Sequence, residues 1–272
     1  MSVEPFLSTN KSLSLAMMLR ARLLRQEVIA GAWCTVPHPS VIELMARLDF
    51  GFLLLDSEHS SMDTTDLCTL LPATELHDAP TIFRPRSHSA GEMKAALDAG
   101  VSGIMVPMID TAEAAQAVID VCRYAPLGCR GIGPWRASGY YDDFLDYTAK
   151  ANDATTLILQ IESATGLENV ERIAAVPGSE ALYVGPADLA SSLRLPIGER
   201  GEEMRSALCR VAKAARDQGK VAGIDVNSPS DLPELVAMGF TLFTIGSDAG
   251  FIQTSGRDLT RELSTHLSPV MA

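Results

Sequence analysis

The sequence predicts a single-domain (β/α)8 TIM barrel of the α/β class. Three observations carry that reading. Eight short, almost uninterrupted apolar runs recur along the chain, as parallel strands buried on both faces do. Amphipathic segments separate them, the alternation expected of a parallel sheet covered by helices. Polar residues gather where the runs end, which is where barrel enzymes keep their chemistry. At 272 residues one barrel uses the whole chain, and folding at that size buries about three quarters of the unfolded surface. A doubly wound open sheet is the competing arrangement. It gains little support, because no G-x-G-x-x-G follows any run.

Taken in order, residues 1–12 read as disordered and Leu13 to Gln26 as a lead-in helix. The chain thus divides into an N-terminal extension with its helix, 1–26, and a barrel domain, 27–268. The runs are IAGAW (29–33), FLLLD (52–56), TIFRP (81–85), GIMVP (103–107), LILQIE (157–162), LYVGP (182–186), VAGID (221–225) and LFTIG (242–246). Ser89 to Glu92 forms a capping box that opens a helix ending at Ala99. Ser228-Pro229 reads as an N-cap with proline in the first helical position. Gly100, Gly178 and Gly239 fit helix C-terminal caps. Residues 123–155 break the rhythm with several glycines, Trp135, Arg136 and the adjacent tyrosines Tyr140 and Tyr141. Following the fourth strand, this interval is expected over the C-terminal face, where long loops are usually functional. A last helix from about Phe251 to His266 closes the chain.

Composition narrows the function. Lys and Arg number 22 against 34 Asp and Glu, a net charge of −12. That argues against a nucleic-acid groove. It leaves room for a small anionic substrate, because a bound metal ion dominates its local field. The five cysteines form no CxxC pair, so neither a disulfide framework nor a structural zinc site is indicated. No apolar stretch is long enough for a membrane span, and the N-terminus lacks the form of a cleaved signal. The expectation is a cytoplasmic protein that binds neither membrane nor nucleic acid.

The run ends hold the candidate chemistry. Run two ends in Asp56, followed by Ser57, Glu58 and His59; run three ends at Arg84; run five carries Gln160 and ends in Glu162; run six leads through Gly185, Pro186 and Ala187 to Asp188. Glu162 and Asp188 close neighbouring strands. Two hard oxygen ligands with open positions suit Mg²⁺ or Mn²⁺. The plainer alternative is that each carboxylate caps a helix. His59 is the candidate base, with Asp56 as a possible orienting partner. Arg84 is placed to bind a carboxylate or enolate oxygen, or else to sit in a structural ion pair. Trp135 and Arg136 either line a pocket mouth or pack their loop. Cys34 lacks an activating neighbour and reads as core.

The strings LLLDSEH, IFRP, ALDAGVSGIMVPMIDTAEAA, LILQIESATGLENVERIAAVPG and ALYVGPADLASSL together resemble the HpcH/HpaI aldolase family. The resemblance runs from about Ile29 to the last helix and implies a (β/α)8 barrel. It implies a class II pyruvate aldolase, a carbon–carbon lyase similar to 4-hydroxy-2-oxoheptanedioate and 2-dehydro-3-deoxyglucarate aldolases. Such an enzyme cleaves a 4-hydroxy-2-oxo acid reversibly to pyruvate and an aldehyde, through a pyruvate enolate, with Mg²⁺, Mn²⁺ or Co²⁺. By resemblance Glu162 and Asp188 hold the metal, His59 is the base, Asp56 orients it, and Arg84 stabilises the enolate. Gln160 lies near pyruvate, and the segment Gly185, Pro186, Ala187 and Asp188 holds the keto-acid carboxylate. Asp98 corresponds to a catalytic aspartate that reaches a neighbouring subunit's site. The resemblance further implies a hexamer, a trimer of dimers that exchange their last helix. Oxaloacetate decarboxylation, or bond formation of the macrophomate synthase kind, would use the same enolate. A barrel that only binds a small acid is a third reading. RLPIGERGEEM, after the sixth strand, departs from the family's pattern, so this stretch and the 131–147 loop are expected to shape aldehyde choice.

Overall fold

The structure, a computed structural model, describes residues 10–267. Its eight strands are β1 (Ile29–Cys34), β2 (Leu53–Asp56), β3 (Thr81–Arg84), β4 (Gly103–Val106), β5 (Thr156–Ile161), β6 (Ala181–Val184), β7 (Val221–Val226) and β8 (Phe240–Ser247). They form a closed parallel barrel in sequence order, with β8 pairing back onto β1. Each apolar run of the sequence is one of these strands.

The helices are α1 (Lys11–Leu24), α2 (Pro39–Ala46), α3 (Leu67–Glu75), α4 (Ala90–Ala99), α5 (Ala112–Cys122), α6 (Phe144–Ala154), α7 (Ala164–Glu168) and α8 (Val170–Ala174). They continue with α9 (Pro186–Ser192), α10 (Glu202–Asp217), α11 (Leu232–Met238) and α12 (Asp248–Leu267). Ser89 caps α4, accepting from the Glu92 N–H, and Gly100 closes it in the left-handed region. Ser228 opens a single 3-10 turn before α11, which Gly239 closes. The expectation of disorder through residue 12 is corrected at its end. The Asn10 side chain accepts from the Leu13 N–H at 2.9 Å, and α1 begins at Lys11. The rest of that stretch, residues 1–9, lies outside the described residues.

Alternation along each strand divides the core in two. Phe52, Leu54, Ile82, Met105, Ile158 and Tyr183 fill the barrel interior. Their neighbours, such as Leu53, Leu55, Phe83 and Leu159, pack outward against the helices. Leu19 and Leu23 of α1 join the interior group, so α1 closes the end of the barrel where the strands begin. That leaves the opposite, C-terminal end as the open mouth.

The long interval after β4 does not lie over that mouth. α5 follows β4 almost at once and returns the chain to the strand-start end before the loop begins. There Arg123 donates to the Asn152, Thr155 and Gly178 carbonyls and to Glu180. Arg136 pairs with Glu75 at 2.5 Å and donates to the Ala99 carbonyl. Asn10 donates to the Ala137 carbonyl at 2.8 Å. Trp135 stays half exposed, edge-on to Tyr140 at 5.3 Å between centroids. Neither Trp135 nor Arg136 lines the mouth, and the 131–147 segment cannot select an aldehyde at its own barrel's site.

Lys220, just before β7, is also buried at this end, donating to the Val176 carbonyl and the Ser179 hydroxyl, each at 2.6 Å. Burial pulls its pKa down from 10.5 to about 8, against the opposing charge of Glu180. Between those values the unfolded chain holds more protons than the folded one. Stability from this group is therefore gained as pH rises from about 8 toward 10.5. Urea titrations at about pH 7.5 and about pH 9.5 check this. The wild-type midpoint should rise relative to that of Lys220→Met; a difference that stays level would contradict it.

Candidate active site

The inward-facing positions at the strand ends bring the polar residues together. Asp56 and Arg84 are in register across β2 and β3. Arg84 Nε donates to Asp56 Oδ1 at 2.8 Å and Nη2 to Oδ2 at 2.9 Å, a bidentate pair. Arg84 Nη1 lies 3.2 Å from Glu58 Oε2. The Trp33 ring, at the end of β1, supports the guanidinium face at 4.2 Å. Burial opposes the arginine's charge, but the Asp56 bonds and the charges of Glu58 and Glu162 outweigh it and raise its pKa. A fully charged guanidinium thus sits in the mouth with its edges and one face occupied.

Glu162 lies just past β5, two strands on from Arg84. Its Oε1 accepts from the Met108 N–H at 2.7 Å, and its Oε2 from Gln160 Nε2 at 2.6 Å. Gln160 Oε1 is buried with no hydrogen-bond partner. Burial pushes the Glu162 pKa up to about 7; the Met108 N–H opposes this, while Glu58 and Asp188 add like-charge repulsion. Asp188 is exposed, on the first turn of α9. Gly185 leaves room for the carboxylate: a Cβ there would lie 2.4 Å from Glu162 Oε2 and 2.8 Å from Gln160 Nε2.

These features fit a hard divalent cation. Three carboxylates repel one another around a partly desolvated glutamate, and an amide oxygen stands without a donor. Among the described residues no group of three His, Cys, Asp or Glu could hold a metal by itself. A cation on Glu162 and Asp188 would therefore keep coordination positions open for substrate and water.

One expectation requires correction. Asp56 does not orient His59. The strand ends at Asp56, whose two oxygens are taken by Arg84 and, at 3.1 Å, by the Glu58 N–H. The chain then turns, leaving His59 with a 63% exposed side chain and its Nε2 3.8 Å from Glu58 Oε2. His59 is at the rim, but its carboxylate neighbour is Glu58. Asp98, which the resemblance assigns to a neighbouring subunit's site, lies away from the mouth of its own barrel. It lies in the last turn of α4, at the opposite end, and pairs with Arg130 at 2.7 Å. Cys34 is core, its thiol pKa pushed up by burial and by Asp248.

The structure adds Glu58, Trp33, Asp225 and the Met108 N–H, none of which the sequence reading assigned a role. Asp225 Oδ1 accepts from Trp33 Nε1 at 2.7 Å and from the Thr244 hydroxyl, which also meets the Tyr183 hydroxyl at 2.5 Å. The available signal was the strand ending: VAGID closes in an acid just as FLLLD does.

The model of the HpcH/HpaI aldolase/citrate lyase family matches residues 30–254. The chain belongs to that family. It is a carbon–carbon lyase of the barrel type. A curated relative, the 5-keto-4-deoxy-D-glucarate aldolase of Klebsiella pneumoniae, is 31% identical over 240 residues, 88% of this chain and 94% of that protein. The crystal structure of a family member from Burkholderia cenocepacia has a TM-score of 0.85 at 31% identity, covering 91% of this chain and 99% of its own. Macrophomate synthase has a TM-score of 0.78 at 25% identity, over 94% and 89%. The citrate lyase β subunit of M. tuberculosis, solved with oxaloacetate and magnesium, shares the fold at a TM-score of 0.54 and 17% identity, over 86% and 96%.

A side chain at Gly185 would fall on the Glu162 carboxylate and the Gln160 amide. Gly185→Ala should displace Glu162 and cost roughly 100-fold in lyase turnover, with the far-ultraviolet circular dichroism preserved. Wild-type turnover in the folded variant would show that the Glu162 placement is unimportant.

Proposed function

We propose that the enzyme catalyses the reversible retro-aldol cleavage of a 4-hydroxy-2-oxo acid to pyruvate and an aldehyde. One observation carries this: a charged, fully braced Arg84 faces a carboxylate group of Glu58, Glu162 and Asp188 that has too few cations among its neighbours. That arrangement suits a 2-oxo acid held together with Mg²⁺, Mn²⁺ or Co²⁺. Bound to Glu162 and Asp188, such an ion would act as a Lewis acid toward the 2-oxo acid.

Each remaining part falls to a group of this chain. The first turn of α9 has backbone N–H groups without intrahelical partners, as every helix start does. Gly185 and Pro186 lead into it, and Ala187 and Asp188 would present their N–H groups to the substrate carboxylate. Gln160 fixes Glu162 through its amide and leaves its own oxygen toward the site. Arg84 supplies a fixed positive charge beside the keto oxygen, where negative charge grows as the bond breaks. His59 takes the proton of the C4 hydroxyl, directly or through one water, and Glu58 steadies the resulting imidazolium. The C3–C4 bonding pair passes into the pyruvate enolate, the aldehyde leaves, and C3 is then protonated.

The likeness to macrophomate synthase favours one second reading. The same enolate would serve oxaloacetate decarboxylation or bond formation to another acceptor. For assembly we propose a homo-oligomer built through α12, which exposes Ile252, Leu259, Leu263 and Leu267. Exchange of that helix in a hexamer, with Asp98 serving a neighbouring site, would follow the family resemblance. No described helix is long and apolar enough to cross a membrane. The five unpaired cysteines favour a reducing compartment, and we place the enzyme in the cytoplasm.

After treatment with EDTA, pyruvate release from a panel of 4-hydroxy-2-oxo acids and oxaloacetate should require added Mg²⁺, Mn²⁺ or Co²⁺. Glu162→Gln should abolish it, and His59→Asn should lower turnover by about 10²–10⁴-fold. Undiminished release without metal would overturn the proposal. Release from oxaloacetate alone would select the second reading.

A further inference from the structure

Resting on the aldolase reading, we propose that Asp225 selects the aldehyde: the acceptor is an uncharged hydroxyaldehyde, and one bearing a second anionic group is disfavoured. Asp225 stands where two cavities meet at the barrel mouth. One, of about 130 Å³, runs from Pro186 and Ala187 under Ile197 and Arg200 to Ile224 and Asp225. The other, of about 340 Å³, lies between Trp33, Asp225, Asn227, Gly246 and Phe251. The first begins at the α9 turn assigned to the keto-acid carboxylate. The second ends at the tryptophan that supports Arg84. An acceptor leaving the reacting carbon in either direction passes Asp225.

The carboxylate is held but not used up. Its Oδ1 accepts from Trp33 Nε1 at 2.7 Å and from the Thr244 hydroxyl. Among the described residues its Oδ2 takes no protein hydrogen bond, and the residue is half-buried. A hydroxyl on the acceptor can donate to that oxygen. A carboxylate or sulfonate cannot, and would meet a fixed like charge in a low-dielectric mouth.

Among the described residues, the cations nearest Asp225 already carry acidic partners. Arg84 is committed to Asp56 and Glu58. Arg200, which lines the smaller cavity, pairs through Nη2 with Asp231 at 2.5 Å and follows Glu199 in the chain, while its Nη1 is buried without a hydrogen-bond partner. Among the described residues lining the larger cavity there is no Lys, Arg or His. The loop carrying Arg200 is also the stretch whose sequence departs from the family pattern.

The test uses the full-length, metal-loaded enzyme in the synthetic direction, with pyruvate and either glyceraldehyde or succinic semialdehyde, and measures pyruvate consumption. The readout is the ratio of the two kcat/KM values within one preparation, which cancels any loss common to both. The wild-type enzyme should favour glyceraldehyde by about tenfold or more. Asp225→Asn should narrow that ratio at least threefold by raising kcat/KM for succinic semialdehyde, a gain that a damaged fold cannot produce. Arg200→Met should leave the ratio within about twofold. Product formed with a wild-type preference for succinic semialdehyde, or a ratio unmoved in Asp225→Asn, overturns the inference alone. Collapse of succinic semialdehyde use in Arg200→Met reassigns that end of the pocket to anion binding and overturns it as well. Absence of product with either aldehyde overturns the aldolase reading and the inference together.

Discussion

The buried charge of Arg84 is the constraint on which the mouth of the barrel depends. An uncompensated guanidinium at that depth would cost several kcal/mol. Asp56 offsets it with two hydrogen bonds, Glu58 with a third contact, and Trp33 with the face of its ring. Each brace comes from a different part of the fold: β3 supplies the arginine, β2 and its loop the acids, and β1 the tryptophan. Asp225 on β7 then holds Trp33 by its indole N–H. Four strands are tied to one cation, so its position is set by the closure of the barrel and not by a loop.

That bracing leaves the adjoining wall of the mouth, from β5 to α9, negative. Glu162 is held by the Met108 N–H and Gln160, yet burial and two neighbouring carboxylates push its pKa up to about 7. A divalent ion would give this wall what Asp56 gives the arginine. In the proposed reaction the 2-oxo acid would lie between the two. The fold separates this place from its supports: α1 and the 123–143 segment close the other end with their own ion pairs, Arg136 with Glu75 and Arg123 with Glu180.

Much of this was legible in the sequence. Strands buried on both faces are continuously apolar, so all eight runs stood out, and the polar residues that end them marked the mouth. What was not legible depended on long-range geometry. The Asp56–Arg84 pair follows from the register of two strands, which outcompetes the local link from Asp56 to His59. The loop after β4 was misplaced because the direction of α5, not sequence adjacency to β4, decides which end a loop occupies. Trp33 and Asp225 each end a run, but their roles arise only when closure of the barrel brings β1 and β7 to either side of β8.

The central claim is that a divalent ion and a 2-oxo acid bind jointly between Glu162, Asp188 and Arg84. Calorimetric titration of Mn²⁺ into metal-stripped protein, with and without pyruvate, tests it most directly. About one Mn²⁺ per chain should bind, roughly tenfold or more tightly with pyruvate present, a coupling of about 1.4 kcal/mol or more. Mn²⁺ affinity that is the same with and without pyruvate would contradict it.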